Sequence, residues 1–338
     1  MGGTALKTPT RRYQAEEYHR ATGEVIAQLR RELPHARIAP TKSYGDKADF
    51  GDLDVIVDAA SPEPLMPVVR AAFGDVEIYH DRNAAYLSFP YHDLQVDLLC
   101  HPGREYPSAC RYFNFNDLSN LIGRVAARLG FRYTHRGLAY TLYREGTDRT
   151  HELGRFILTD DPVEMFSFLG YDQPGGDLAR YEQGFATREA MFDFATKSRY
   201  FCPDVYLLEN RNHRDRARDR KRKTYRAFLD YLKAKALPPG PVIDRDAMLT
   251  SAFERFPAFA GAYRDAVRAE ERRAACKARF NGKMVAKATG LVGVELGLHM
   301  GRLRERLGTD EERITLVASM TDAQLLAFVV ADLPESVE

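Results

Sequence analysis

Two runs of this sequence carry acidic side chains where a sheet would otherwise be wholly apolar: DLDVIVD at 52–58 and LQVDLLC at 94–100. Both have the length and aliphatic content of buried strands. Residues two apart on a strand share a face, so Asp52 and Asp54 present their carboxylates side by side. Asp97 lies within an apolar run, where an unpaired charge is costly. Two carboxylates held together in this way become reasonable when a divalent cation sits between them, and a neighbouring strand could bring Asp97 beside the pair.

The surrounding pattern places those strands in a small sheet. Tyr13, Tyr18, Val25, Ile26 and Leu29 recur at helical spacing between Thr10 and Leu33, and Pro34 ends the run. A helix over 62–73 is expected, opened by Ser61 as N-cap and stopped by Gly74. VEIYHD, AAYLSFPY and LQVDLLC follow as strands separated by the polar turns DRN and HD. Residues 38–100 thus read as β-α-β-β-β. Beyond Asn116 the pattern is helical, broken by an extended stretch over 132–158. Residues 187–235 read as helical and basic, PPGP at 238–241 as a linker, and 247 onward as helical again.

The expected class is α+β: a small mixed sheet, then a helical segment, then an all-helical C-terminal half. The division expected is a tail and helix over 1–36, a catalytic module over 37–110, a segment over 111–176, a basic helical region over 177–237 and a C-terminal domain over 242–334. A chain of 338 residues is long enough for two or three modules.

Ahead of the acid pair, KSYGDKADFG offers Ser43, Gly45 and Lys47 as phosphate ligands through a hydroxyl, a backbone N–H and an ammonium group. Asp46, Asp49, Asp58 and Asp93 are nearby acids of the same type. Asp93 shares parity with Asp97 but falls at a turn.

SYGDKADFGDLDVIVD resembles the signature of the DNA polymerase beta nucleotidyltransferase superfamily, in which a Gly-Ser loop precedes two strand aspartates separated by one residue. Here Ser43 follows Lys42, and Gly45 comes two positions later. YFNFNDLSNLIGRVAARLGF (112–131) is similar to the stretch linking palm to thumb in family X polymerases, and LTDDPVEMFSFLGYD (158–172) to an acidic turn entering a thumb helix. The resemblance covers about 40% of the chain, residues 38–172.

It implies a palm-like sheet with a helical thumb-like segment. It also implies two Mg²⁺ ions, or Mn²⁺, held by Asp52, Asp54 and Asp97, with an NTP or dNTP as substrate. Tyr112 and Phe113 would lie near the sugar, Asp117 and Asn120 near the base. The acceptor expected first is the 3′-hydroxyl of RNA or DNA. The alternatives are a protein or small-molecule hydroxyl, or a nucleic-acid-binding module without catalysis.

RNHRDRARDRKRKTYR (211–226) concentrates cations. Asp215 and Asp219 are four apart, so one helix would gather them on a flank and leave Arg214, Arg218, Lys221 and Arg222 for a nucleic-acid backbone. The same run also reads as a solvated, self-paired surface. Tyr200, Phe201 and Tyr206 read as core rather than as base-stacking platforms. RFNGKMVAKATGLVGVELGLHMGRLRERLG (279–308) is similar to a glycine-punctuated motif in the tail of bacterial tRNA CCA-adding enzymes. It also reads as a helical hairpin packed on its neighbours.

The histidines show no metal spacing, and His80, His92 and His101 read as incidental. Four cysteines without CxxC spacing point to a reducing cytoplasm. No stretch is apolar enough for a membrane span or a signal core, so no membrane partner is expected.

Overall fold

The computed structural model describes residues 5–80, 85–115, 117–144, 151–171 and 176–331. It divides into two compact units, one of residues 1–141 with 155–259, the other of 142–154 with 260–338.

The first unit is built on a five-stranded mixed sheet. In chain order come β1 (Tyr13–Gln14), α1 (Ala15–Glu32), β2 (Ile38–Pro40), β3 (Asp49–Phe50), β4 (Asp52–Val57), α2 (Leu65–Phe73), β5 (Tyr79–His80), β6 (Tyr86–Tyr91) and β7 (Leu94–Cys100). The sheet order is β2-β4-β7-β6-β5, with β1 and β3 pairing separately. β4 and β7 run parallel and the other neighbours antiparallel. The expected β-α-β-β-β order holds from β4 onward, but two short strands that were not expected, β2 and β3, precede it, and the DRN turn lies outside the described residues.

Strand periodicity decides what each face does. Leu53, Val55 and Val57 of β4, Val96 and Leu98 of β7, and Leu87 and Phe89 of β6 share one core with Val25 and Leu29 of α1 and Leu65 and Val69 of α2. Asp52, Asp54 and Asp97, at the alternate positions, turn to the other face. α2 starts three residues later than expected. Pro62 to Pro64 form a turn instead of a first helical turn, and Ser61 does not cap. Gly74 does end it, at φ 81°.

α3 (Glu105–Phe113) and α4 (Leu118–Arg128) follow. α4 buries Leu118, Leu121, Ile122, Val125 and Ala126 along one stripe. The extended stretch is a three-stranded sheet of β8 (Arg132–Thr134), β9 (Gly137–Tyr143) and β10 (Glu152–Thr159). α5 (Pro162–Phe168) opens on Asp161, whose carboxylate accepts from Glu164 N–H at 2.9 Å, with Pro162 in the first turn. α6 (Asp177–Gln183) and α7 (Arg188–Ala195) come next.

The basic region departs from one continuous helix. Two 3₁₀ turns (Pro203–Tyr206 and Leu208–Asn210) precede α8 (His213–Asp219), and the chain breaks over 220–222 before α9 (Lys223–Lys235). At the end of α8, Asp219 is fully buried and accepts from Arg211 at 2.9 Å and Arg218 at 3.0 Å. Asp215 likewise meets Arg211 at 3.0 Å. The acidic flank faces inward, and Arg214, Arg218, Arg220 and Lys221 stay exposed. Phe201 and Tyr206 are core, as expected: their rings stack at 5.2 Å, and the Tyr206 hydroxyl donates to Leu121 O at 2.8 Å.

PPGP is not a linker between units. A Cβ on Gly240 would meet Phe201 O at 2.2 Å, so the segment is packed against its own unit. The division falls after α10 (Arg245–Arg255), inside α11 (Pro257–Arg279).

Among the described residues from 260 onward the second unit is helical: the rest of α11, then α12 (Gly282–Thr289), α13 (Gly293–Arg306), α14 (Asp310–Ser319) and α15 (Asp322–Val330). Val285, Met300, Leu303, Val317 and Val329 share its core. Thr309 with Glu312, and Thr321 with Gln324, form capping boxes at α14 and α15. The 279–308 segment contributes α12 and α13, with Gly290 left-handed between them at φ 76°. No helix among the described residues is long and apolar enough to cross a membrane.

Candidate metal and nucleotide site

Parallel pairing of β4 with β7 sets Asp54 directly beside Asp97, with Asp52 two residues earlier on the same face. One carboxylate oxygen from each of the three lies within 4.8 Å of the others, and all three residues are partly buried. Burial raises the pKa of each. For Asp52, Lys47 and Arg12 work against the rise. For Asp54, the negative charges of Asp52 and Asp97 add to it. Asp97 is pushed up to about 6, although the Gln95 amide donates to both its oxygens at 2.9 and 3.0 Å.

The nearby acids are each tied to a partner. Asp46 accepts from Arg188 N–H at 3.0 Å, and Asp49 pairs with Arg12 at 2.7 Å. Asp58 accepts from Arg37 at 2.9 Å and from Gly103 N–H at 2.6 Å. Asp93 accepts from Arg11 and from the Tyr13 hydroxyl, each at 2.6 Å. Partners of this kind hold Asp49, Asp58 and Asp93 below the usual carboxylate range. The two groups of aspartates are thus distinguished by their surroundings.

A cavity of about 430 Å³ opens on Asp52. Arg12, Lys47, Arg188, Lys221, Arg222 and Lys223 bring cationic side chains to its wall, which also includes Asp46, Asp49 and Asp117. Lys47 sits 4.1 Å over the Phe50 ring; burial pulls its pKa down while Asp52 and Asp54 pull it up. The oxygen donors of the aspartate cluster suit a divalent ion, and the cations of the cavity that Asp52 lines suit a polyanion.

The residues expected from the phosphate loop divide between two places. Lys47 lines the Asp52 cavity, whereas Ser43 and Gly45 line a second one of about 580 Å³ beside Tyr18 and Phe185. The Gly45 N–H, expected to meet phosphate, donates to Phe185 O at 2.8 Å instead. A Cβ there would lie 2.8 Å from Ala186 O, so glycine permits this close backbone approach. The loop is also fastened by Asn114 Oδ1, which accepts from Lys42 N–H at 2.8 Å, and by Phe115 N–H, which donates to Lys42 O at 2.7 Å.

Tyr112 and Phe113 do not line the Asp52 cavity; they end α3 and pack against Tyr133 at 5.2 Å and His101 at 5.4 Å. Asp117 does line it, paired there with Arg222. Asn120 Oδ1 accepts from Arg124 and Arg218 at 3.4 Å each, away from the cavity wall. Among the expected nucleic-acid ligands, Lys221 and Arg222 line the cavity, Arg214 is exposed, and Arg218 pairs with Asp219.

Arg12, Arg188 and Lys223 are cavity residues that sequence reading did not single out. Lys223 lay inside the basic run, but nothing in the local sequence marks Arg12 or Arg188. His101, expected to be incidental, is joined by Glu105 and His135, and the fold brings donor atoms of these three within 4.8 Å of one another. Burial and the neighbouring His135 push His101 down to about 4.

No protein-family model matches the chain, and no curated protein matches its sequence.

Proposed function

We propose that the protein is a metal-dependent nucleotidyltransferase that moves NMP from an NTP or dNTP to a nucleic-acid 3′-hydroxyl, releasing pyrophosphate. The observation that carries this reading is the in-register placement of Asp54 beside Asp97 on parallel strands, with Asp52 on the same face and within 4.8 Å. Resemblance of residues 43–58 to the polymerase beta superfamily supports the same reading.

Three carboxylates are hard donors that fit Mg²⁺ or Mn²⁺, and their clustering is costly without a cation. A bound pair of such ions would supply positive charge at the attacking hydroxyl and at the departing pyrophosphate. Asp52, Asp54 and Asp97 would hold them. In the proposed reaction the acceptor oxygen forms its bond to the α-phosphorus as the bond to the β-phosphate bridging oxygen breaks. Asp97 takes the hydroxyl proton. Lys47, Arg188, Lys221 and Lys223 pair with the triphosphate from the cavity wall, and their charge neutralises the pyrophosphate as it leaves. The four cysteines are free thiols, which supports a reducing, cytoplasmic setting.

Incubation with each α-labelled NTP and dNTP, Mg²⁺ or Mn²⁺, and tRNA, single-stranded DNA or primed DNA tests the reading. Label is expected on one nucleic acid and is lost with Asp97→Ala. Label on a protein or small molecule would move the acceptor to that class. Absence of transfer under every condition would leave a nucleic-acid-binding module.

A further inference from the structure

Away from the three aspartates, the fold assembles a second donor set from three elements. His101 follows β7 directly, Glu105 opens α3, and His135 occupies the turn between β8 and β9. Their donor atoms lie within 4.8 Å of one another. The two imidazoles are tilted by 46° with centroids 4.7 Å apart, and Phe113 and Tyr112 stand beside them. His101 is 6% exposed. It lies four residues beyond Asp97 on the same strand direction, about 13 Å at strand rise, so the two clusters cannot share an ion.

We propose that His101, Glu105 and His135 form a binding site for one divalent transition-metal ion of the Zn²⁺ class. Two imidazoles and one carboxylate are the donor mixture that selects Zn²⁺, Co²⁺ or Ni²⁺ over Mg²⁺, which takes oxygen ligands. Tetrahedral ligands about 2.0–2.1 Å from zinc stand about 3.3 Å apart. Glu105 and His135 are only partly buried, which leaves their side chains room to rotate toward that spacing. Glu105 now pairs with Arg136 at 2.8 Å, and the Arg136 side chain, 49% exposed, is free to turn toward solvent when a cation replaces it. Three protein ligands leave a fourth position for water. The ion would clamp the β8–β9 turn to the end of β7 and the start of α3.

The full chain, stripped with EDTA and held in excess Mg²⁺, is titrated with Zn²⁺ by calorimetry and with Co²⁺ by visible absorption. One equivalent is expected to bind the wild type and Asp54→Asn alike. His135→Ala, on a turn, and Glu105→Gln should each weaken it by more than about tenfold while retaining the wild-type far-UV spectrum. Unchanged affinity in both variants, loss only in Asp54→Asn, or no binding to the wild type would overturn the proposal. None of these readouts depends on nucleotidyl transfer, so failure of one reading leaves the other standing.

Discussion

At the scale of single residues the decisive contrast is between aspartates with partners and aspartates without enough of them. Asp93 and Asp97 share strand parity, yet Arg11 and Tyr13 hold Asp93 low, whereas burial pushes Asp97 up to about 6. The folded state therefore retains a proton on Asp97 that the unfolded chain, with a value of about 3.9, has released. That contribution to stability is fully present below about pH 4 and is lost as pH rises through about 6. Asp97→Asn mimics the neutral form. Without divalent cations at pH 7.5 it should stabilise the protein by about 1–2 kcal/mol after solvent screening. By differential scanning calorimetry the gain should vanish near pH 4, and Mg²⁺ should stabilise the wild type more than the variant. A destabilised variant at pH 7.5 would show that Asp97 serves packing rather than a cation.

At the scale of elements, strands were more legible than the basic helices. β4 and β7 announce themselves by aliphatic runs, and their parallel pairing puts the acids together without help from distant side chains. In 211–226 the spacing of Asp215 and Asp219 correctly gave a shared flank, but not which way it faces. That depends on Arg211, 5% exposed, which needs both acids as partners. Asp219→Ala would leave this guanidinium buried with its pairing reduced, and a loss of about 3–5 kcal/mol is expected by urea denaturation. A change within about 0.5 kcal/mol would mean the pair is solvated. Ser43, Gly45 and Lys47 were expected to act as one loop. They divide because Phe185 takes the Gly45 amide, a contact across 140 residues that no local pattern encodes. Arg12, Arg188 and the His101–Glu105–His135 cluster were hidden for the same reason.

At the scale of the whole molecule, the α+β class and the helical C-terminal half followed from hydrophobic period, while the division into units did not. PPGP has the composition of a linker, but packing against Phe201 and Cys202 makes it part of the first unit, and the division passes through a helix instead. The first unit contains the carboxylates and the cationic cavity together, so the central claim concerns one self-contained site. The most direct test is the initial rate of pyrophosphate release from NTP with Mg²⁺ and the preferred acceptor, for wild type and Asp54→Asn. Losing one of three shared cation ligands should lower the rate about a thousandfold or more, with the Arg211–Asp219 pair and the thermal transition intact. A rate in Asp54→Asn equal to that of the wild type would contradict the metal-dependent reading.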